Sequence, residues 1–201
     1  MEKISKAQVK LVRSLQQKKF RDELGLFVAE GDKCVEELRR GFELVHLYRE
    51  GENASRVEIE QMSGLRTPQG VIGVFKQRTT DDGQRTMDGL VLALDGIQDP
   101  GNLGTIIRTC DWFGVHDIYC SLDTADCYNP KVVQATMGAL ARVRVHYVDL
   151  PEFIRSYKGP VYGTLLDGKN MYETELHEKI ERIIECSPAD GEVIVPDQFV
   201  T

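Results

Sequence analysis

No stretch of these 201 residues is apolar for long enough to cross a bilayer, and the opening "MEKISKAQVKLVRSLQQKKF" has neither an apolar signal core nor a small-residue cleavage site. A cytoplasmic protein without membrane association is therefore expected. Cysteine is scarce. Cys34, Cys110, Cys120, Cys127 and Cys186 are scattered, odd in number, and form no C-x-x-C pair. That pattern suits reduced thiols packed as small apolar side chains better than a zinc site or a disulfide frame. His46, His116, His146 and His177 make no i, i+4 pair, so no metal site is expected. The Gly-x-Gly-x-x-Gly fingerprint and the Walker loop are both missing, which leaves a nicotinamide enzyme without support. Internal repeats and low-complexity tracts are missing too.

The chain does have the balance of a globular protein, 41% hydrophobic and 28% charged. Its net charge of −7 argues against a surface coated with phosphate-binding groups. The distribution is more informative. Residues 1–21 hold seven Lys and Arg against Glu2 alone, a local +6 that leaves −13 for the rest. Lys3, Lys6, Lys10 and Arg13 recur at helical spacing on one face, with Ile4, Leu11, Val12 and Leu15 opposite. A basic amphipathic arm on an acidic body is expected.

An α/β fold follows from the order of elements. In the first part, "LFVAEG" reads as a strand, "DKCVEELRRG" as a helix capped by Asp32, and "FELVHLYR" as a strand. A helix in "SRVEIEQMSGL" and a strand in "GVIGVFKQ" complete a small α/β domain, residues 1–77. Glu30 is expected to serve a turn or domain packing. The polar, turn-prone residues 78–88 read as a linker. From 89 to 201 strands and helices alternate: strand 90–95, helix 102–113, strand 115–121, helix 129–142, strand 143–149, helix 150–158, strand 160–167 and helix 171–186. Such alternation predicts parallel strands joined by helical crossovers, with ligands at the carboxyl ends of the strands.

One such rim is "LVLALDGIQDPGNLGTIIRTCDWFG", residues 90–114. Pro100 favours a turn, and Gly101 and Gly104 allow close backbone approach. Asn102 is suited either to cap the helix or to exchange hydrogen bonds with a ligand. Arg108 follows within two turns, so its long side chain can reach the same rim. Spacing alone also fits a well-capped helix with a surface arginine.

"LDGIQDPGNLGTIIRTCDWFGV", "NPKVVQATMGALARV" and "GPVYGTLLDG", in that order, resemble the motifs of the SpoU/TrmH branch of the SPOUT superfamily. "SKAQVKLVRSLQQKKFRDELGLFVAEGDKCVEE" resembles that family's amino-terminal substrate-binding domain. The resemblance implies a ribosomal-protein-like α/β domain followed by a parallel-sheet, Rossmann-like SPOUT domain. It further implies 2′-O-ribose methylation of rRNA or tRNA with S-adenosyl-L-methionine as methyl donor, and a homodimer. Arg108 would be the central catalytic residue. A guanidinium keeps its proton at neutral pH, so a clamp on phosphate and on the nascent alkoxide suits it better than the role of base. Asn102 would position the ribose or the arginine. Gly163 and Thr164 would begin the donor pocket. Lys6, Lys10, Arg13, Lys18, Lys19 and Arg21, with Lys131, would meet RNA phosphates, which supplies affinity without sequence choice.

The resemblance lapses after "MYETELHEK", near residue 179, where a strand, a Gly-Asn-Glu-type loop and a Ser-Leu-Asn segment are the family pattern. An incomplete carboxyl-terminal knot, from truncation or a frameshift, is the expectation there, with methyl transfer by this polypeptide in doubt. Two further readings stand beside the enzyme: an RNA-binding protein that lacks the donor pocket, and an unrelated nucleotide-binding α/β protein resting on fold analogy alone.

Overall fold

The computed structural model describes residues 4–78, 90–157, 161–164 and 182–186. The expected linker apart from Arg78, and most of the carboxyl-terminal tail, including the knot region, lie outside them. Two compact units emerge: the described residues of Met1–Asp82, Pro100–Thr109 and Asp126–Arg142, and those of Gly83–Asp99, Cys110–Ala125 and Val143–Thr201.

In the first unit the basic arm folds as predicted. Ser5 opens α1 (Lys6–Ser14) with a capping box: its hydroxyl accepts from the Gln8 amide while the Gln8 side chain accepts from the Ser5 amide. Val12 and Leu15 are fully buried, while Lys6, Lys10 and Arg13 face solvent. The chain turns into α2 (Lys18–Leu24), which ends on Gly25 in the left-handed conformation. Strands β1 (Leu26–Glu30), β2 (Leu44–Arg49) and β3 (Val71–Lys76) form an antiparallel sheet in the order β1-β3-β2. Helices α3 (Asp32–Leu38) and α4 (Arg56–Met62) connect them. Val28, Ile72 and Val74 pack with Val12, Leu15, Ile59 and Met62 in one core cluster. Phe27 and Phe75 stack on each other, and Phe27 also meets Phe42 and Tyr128. Partners on both faces explain why β1 and β3 read as continuous apolar runs rather than alternating ones.

Three local expectations need correction here. Asp32 does not cap α3. Gly31, at φ 92°, holds the cap position, and Asp32 instead pairs with Arg49 at 2.5 Å. Helix α5 (Pro100–Trp112) starts two residues earlier than predicted, because a proline suits the first helical turn, where its missing amide hydrogen costs nothing. The helix expected over 129–142 is broken: α6 (Pro130–Thr136) ends at Met137 and Gly138, both at positive φ, before a short 3-10 turn, Ala139–Ala141. Glu30 is a packing residue, as expected. It is buried and accepts from the Ser63 hydroxyl at 2.5 Å and the Gly64 amide at 2.7 Å.

The second unit is a parallel sheet. Strands β4 (Val91–Asp95), β5 (Asp117–Cys120), β6 (Arg144–Tyr147), β7 (Tyr162–Thr164) and β8 (Arg182–Cys186) align in the order β6-β5-β4-β8-β7. Helix α7 (Leu150–Ser156) sets Leu150 and Phe153 against Val91, Ala93 and Tyr119. Tyr119 stacks between Phe153 and His146, at centroid distances of 4.1 and 4.7 Å. Strand β8 overturns the predicted helix over 171–186 across its last five residues. Arg182–Cys186 run between β4 and β7, in register from Val91↔Arg182 to Asp95↔Cys186. The family-like sheet therefore continues beyond the point near residue 179 where the resemblance was expected to lapse.

Candidate active site

Two features place Arg108 on the exposed face of α5. Gly104, one turn earlier, lets α5 lie against α6: a Cβ there would stand 2.4 Å from the Ala135 Cβ and 2.9 Å from the Val132 carbonyl oxygen. This is the close backbone approach expected of Gly104, and it serves helix packing. The close crossing brings Arg108 to the end of α6, where its Nη1 donates to the Met137 Sδ at 3.1 Å. Among the described residues no carboxylate pairs with Arg108, whereas Arg21, Arg49 and Arg144 each hold one. The guanidinium is exposed and its charge is not neutralised.

Asn102 is the third residue of α5, exposed, and inside the first turn, so it does not cap the helix. Arg108 and Asn102 project from the same helix within two turns of one another. Met137 was not singled out in the sequence. The available signal was a methionine directly before Gly138 in a stretch expected to be one continuous helix. Beside it opens a cleft of about 360 Å3, lined by Glu30, Asp32, Lys33, Cys34, Gln69, Gln134 and Met137. Burial pushes the Cys34 thiol up to about 11, so it is no thiolate nucleophile at neutral pH.

Lys131 is exposed in the first turn of α6, where the Asn129 side chain caps its amide at 2.9 Å. Lys6, Lys10 and Arg13 form an exposed stripe on α1 that carries no ion pair among the described residues. Lys18 is exposed but pairs with Asp22 at 2.9 Å, and Lys19 is exposed near the Phe20 ring. Arg21 is different, and its assignment as an RNA contact is corrected. Only 1% exposed, it donates through Nη2 and Nε to Asp126 Oδ2 at 2.6 and 3.2 Å. Its Nη1 donates to the carbonyls of Leu15 and Gln16, which closes the end of α1. A side chain so fully engaged cannot meet a phosphate.

In the second unit Gly163 and Thr164 lie at the carboxyl end of β7. Gly163 is exposed, and a Cβ built on it meets no described atom within 4 Å. Its φ is outside the left-handed range. Among the described residues, neither packing nor backbone conformation demands a glycine there. The Thr164 side chain lies outside the described atoms. At the opposite edge of the sheet, on β5 and β6, Asp117 is buried and accepts from Arg144 at 2.9 and 2.7 Å and pairs with His146 Nε2 at 2.8 Å. Burial works to raise its pKa, but the hydrogen bonds and charges of Arg144 and His146 outweigh that and hold it below the usual value. This cluster is structural. No group of three candidate metal ligands occurs among the described residues, and no described helix is long and apolar enough to cross a membrane.

Comparisons with known proteins bear on the family and the fold. The SpoU rRNA Methylase family matches residues 89–184, and an MRM3-like substrate binding domain matches residues 6–58. The first match ends at residue 184, within β8 and five residues beyond the point near 179 where the resemblance was expected to lapse. The chain is 37% identical over 86 residues to the 23S rRNA (guanosine(2553)-2′-O)-methyltransferase RlmP of Bacillus subtilis, covering 41% of this chain and 35% of that protein. It is 32% identical over 160 residues to the mitochondrial rRNA methyltransferase 3 of Xenopus laevis, covering 68% and 38%. The chain thus spans little more than a third of the length of these curated relatives. Solved structures match over far more of their length. A TrmH-family RNA methyltransferase from Porphyromonas gingivalis superposes with a TM-score of 0.78 at 31% identity, covering 95% of this chain and 91% of that one. The AdoMet-bound rRNA methyltransferase from Sinorhizobium meliloti gives 0.77 at 31% identity, covering 92% and 79%. With both domains matched in order and a TrmH-family structure matched at 31% identity over 91% of its length, the chain belongs to the SpoU/TrmH family of RNA methyltransferases.

Proposed function

We propose that this protein transfers a methyl group from S-adenosyl-L-methionine to a ribose 2′-hydroxyl of ribosomal RNA. The observation that carries the reading is Arg108: an exposed guanidinium in the third turn of α5 whose hydrogen-bond partner is a neutral thioether. Family membership supports it, as do the AdoMet in the S. meliloti relative and the rRNA named for the curated relatives. A homodimer and a cytoplasmic location, implied by the resemblance and by the lack of a spanning segment in the sequence, belong to the same proposal.

The donor, when bound, supplies an electrophilic sulfonium methyl. The protein has to hold the weakly nucleophilic hydroxyl in line and stabilise the negative charge that develops on its oxygen. Arg108 does the second task. It is always protonated, so it serves not as a base but as a fixed positive charge that makes the hydroxyl easier to ionise. The hydroxyl proton leaves to water as the oxygen takes the methyl group and S-adenosylhomocysteine departs. Asn102, two turns away on the same helix, holds the ribose by its amide. Gly163 keeps the end of β7 open for the adenosine of the donor. Lys6, Lys10 and Arg13 attract phosphates and orient the RNA, with Lys18, Lys19 and Lys131 as further contacts.

Incubation of the protein with ribosomal RNA and methyl-labelled donor, followed by digestion to nucleosides, tests the reading. Label in a 2′-O-methylnucleoside is the expected result, and label confined to bases contradicts it. Calorimetry with S-adenosylhomocysteine separates the RNA-binding alternative, which requires salt-sensitive RNA affinity without donor affinity.

A further inference from the structure

Met137 is the one non-glycine residue at positive φ among the described residues, with φ 51° and ψ 32°. A side chain there is strained against the backbone, and glycine or asparagine would relieve that strain. Burial does not explain the choice of methionine, since the residue is 59% exposed. Its sulfur instead accepts the Arg108 Nη1 hydrogen bond at 3.1 Å. Strain kept at an exposed position, with the side chain turned onto a charged group, points to function.

We infer that Met137 is a positioning residue for Arg108, a neutral acceptor that aims the guanidinium while leaving its charge free for the RNA. The inference rests on the proposed methyl transfer. A carboxylate at this place would hold Arg108 more tightly but would cancel much of the field that a developing alkoxide needs. A thioether is a weak, polarisable, uncharged acceptor, so it orients without neutralising. The left-handed turn is what makes the contact possible: it ends α6 at Thr136 and swings residue 137 out toward α5, and Gly104 lets the two helices approach closely enough. Met137 also lines the cleft formed with Glu30, Asp32, Lys33, Cys34, Gln69 and Gln134, so its contact with Arg108 lies beside that recess.

Three variants of the full chain test this. Met137→Leu keeps size and strain but removes the acceptor. Met137→Gly removes the acceptor and the strain together. Met137→Gln restores a neutral acceptor. With transcribed large-subunit ribosomal RNA and labelled donor, Leu and Gly are expected to lower kcat by about 10- to 100-fold, the scale of a misplaced catalytic group. KM for the donor should stay unchanged, Tm of the Gly variant should equal or exceed the parent's, and Gln should recover most of the rate. In the free protein the Met137 ε-methyl resonance should move on Arg108→Ala, which reads the contact without any turnover. Leu and Gly variants at the parent rate, beside an inactive Arg108→Ala, would overturn the inference and leave methyl transfer standing. An active Arg108→Ala would remove both. A Met137 resonance indifferent to Arg108 would overturn the inference by itself.

Discussion

Replacing Arg21 by methionine keeps most of the side-chain volume and removes every polar contact it makes. Two hydrogen bonds to Asp126 and two to the carbonyls of Leu15 and Gln16 disappear. Breaking a buried ion pair from one side costs ~3–5 kcal/mol, because the remaining charge is left uncompensated. Asp126 keeps one partner, the Tyr128 amide at 2.9 Å, and its side chain is 14% exposed, so the lower end of that range is expected, ~3 kcal/mol. Urea denaturation should show the midpoint falling with the m-value unchanged. Asp126→Asn should cost less, and the double variant should cost less than the sum of the two, because the residues act as one unit. RNA affinity, measured under conditions where the variant is folded, should hold. A variant with the parent's midpoint and weakened RNA binding would refute the reasoning, for it would show Arg21 facing the nucleic acid.

Three further outcomes are expected. Asp117 carries a lowered pKa in the fold, so the stability its ion pairs contribute is present above the unfolded value of 3.8 and is lost as pH falls through the folded one. Stability measured down through that window should drop more steeply for the parent than for Asp117→Asn, and equal slopes would count against the pairing. Neutralising Lys6, Lys10 and Arg13 together should reduce the slope of log affinity against log salt by about 2 for single-stranded RNA, roughly 0.7 for each phosphate no longer neutralised. An unchanged slope would place the RNA elsewhere. Gly163→Leu should lower affinity for S-adenosylhomocysteine by about tenfold or more, ~1.4 kcal/mol, without lowering Tm. Unaltered affinity would move the donor away from β7.

What could be read from the chain in advance was local. The two faces of α1, the alternation of β4, β5 and β6 with helical segments, and the Arg108 helix all follow from periodicity and turn residues within a few positions. Boundaries failed where a specific backbone choice intervened. Pro100 sits inside α5 because it needs no amide partner in the first turn, and Met137 and Gly138 at positive φ end a helix that periodicity alone would continue. The segment Arg182–Cys186 reads as the end of a helix over 171–186, because its few apolar residues fit either period, and its strand form is fixed by pairing with β4 and β7. The site was legible in its residues but not in its partners. Arg21 and Asp126 are 105 residues apart, and Arg108 and Met137 are 29 apart. Nothing local says that one arginine is consumed by the fold and the other left charged and exposed.

The most direct test is the turnover of Arg108→Ala on ribosomal RNA with labelled donor, beside its affinity for S-adenosylhomocysteine. Loss of more than ~100-fold in rate with donor affinity retained is predicted, the effect of removing one stabiliser of a developing oxyanion. Methyl transfer at the parent rate would contradict the account.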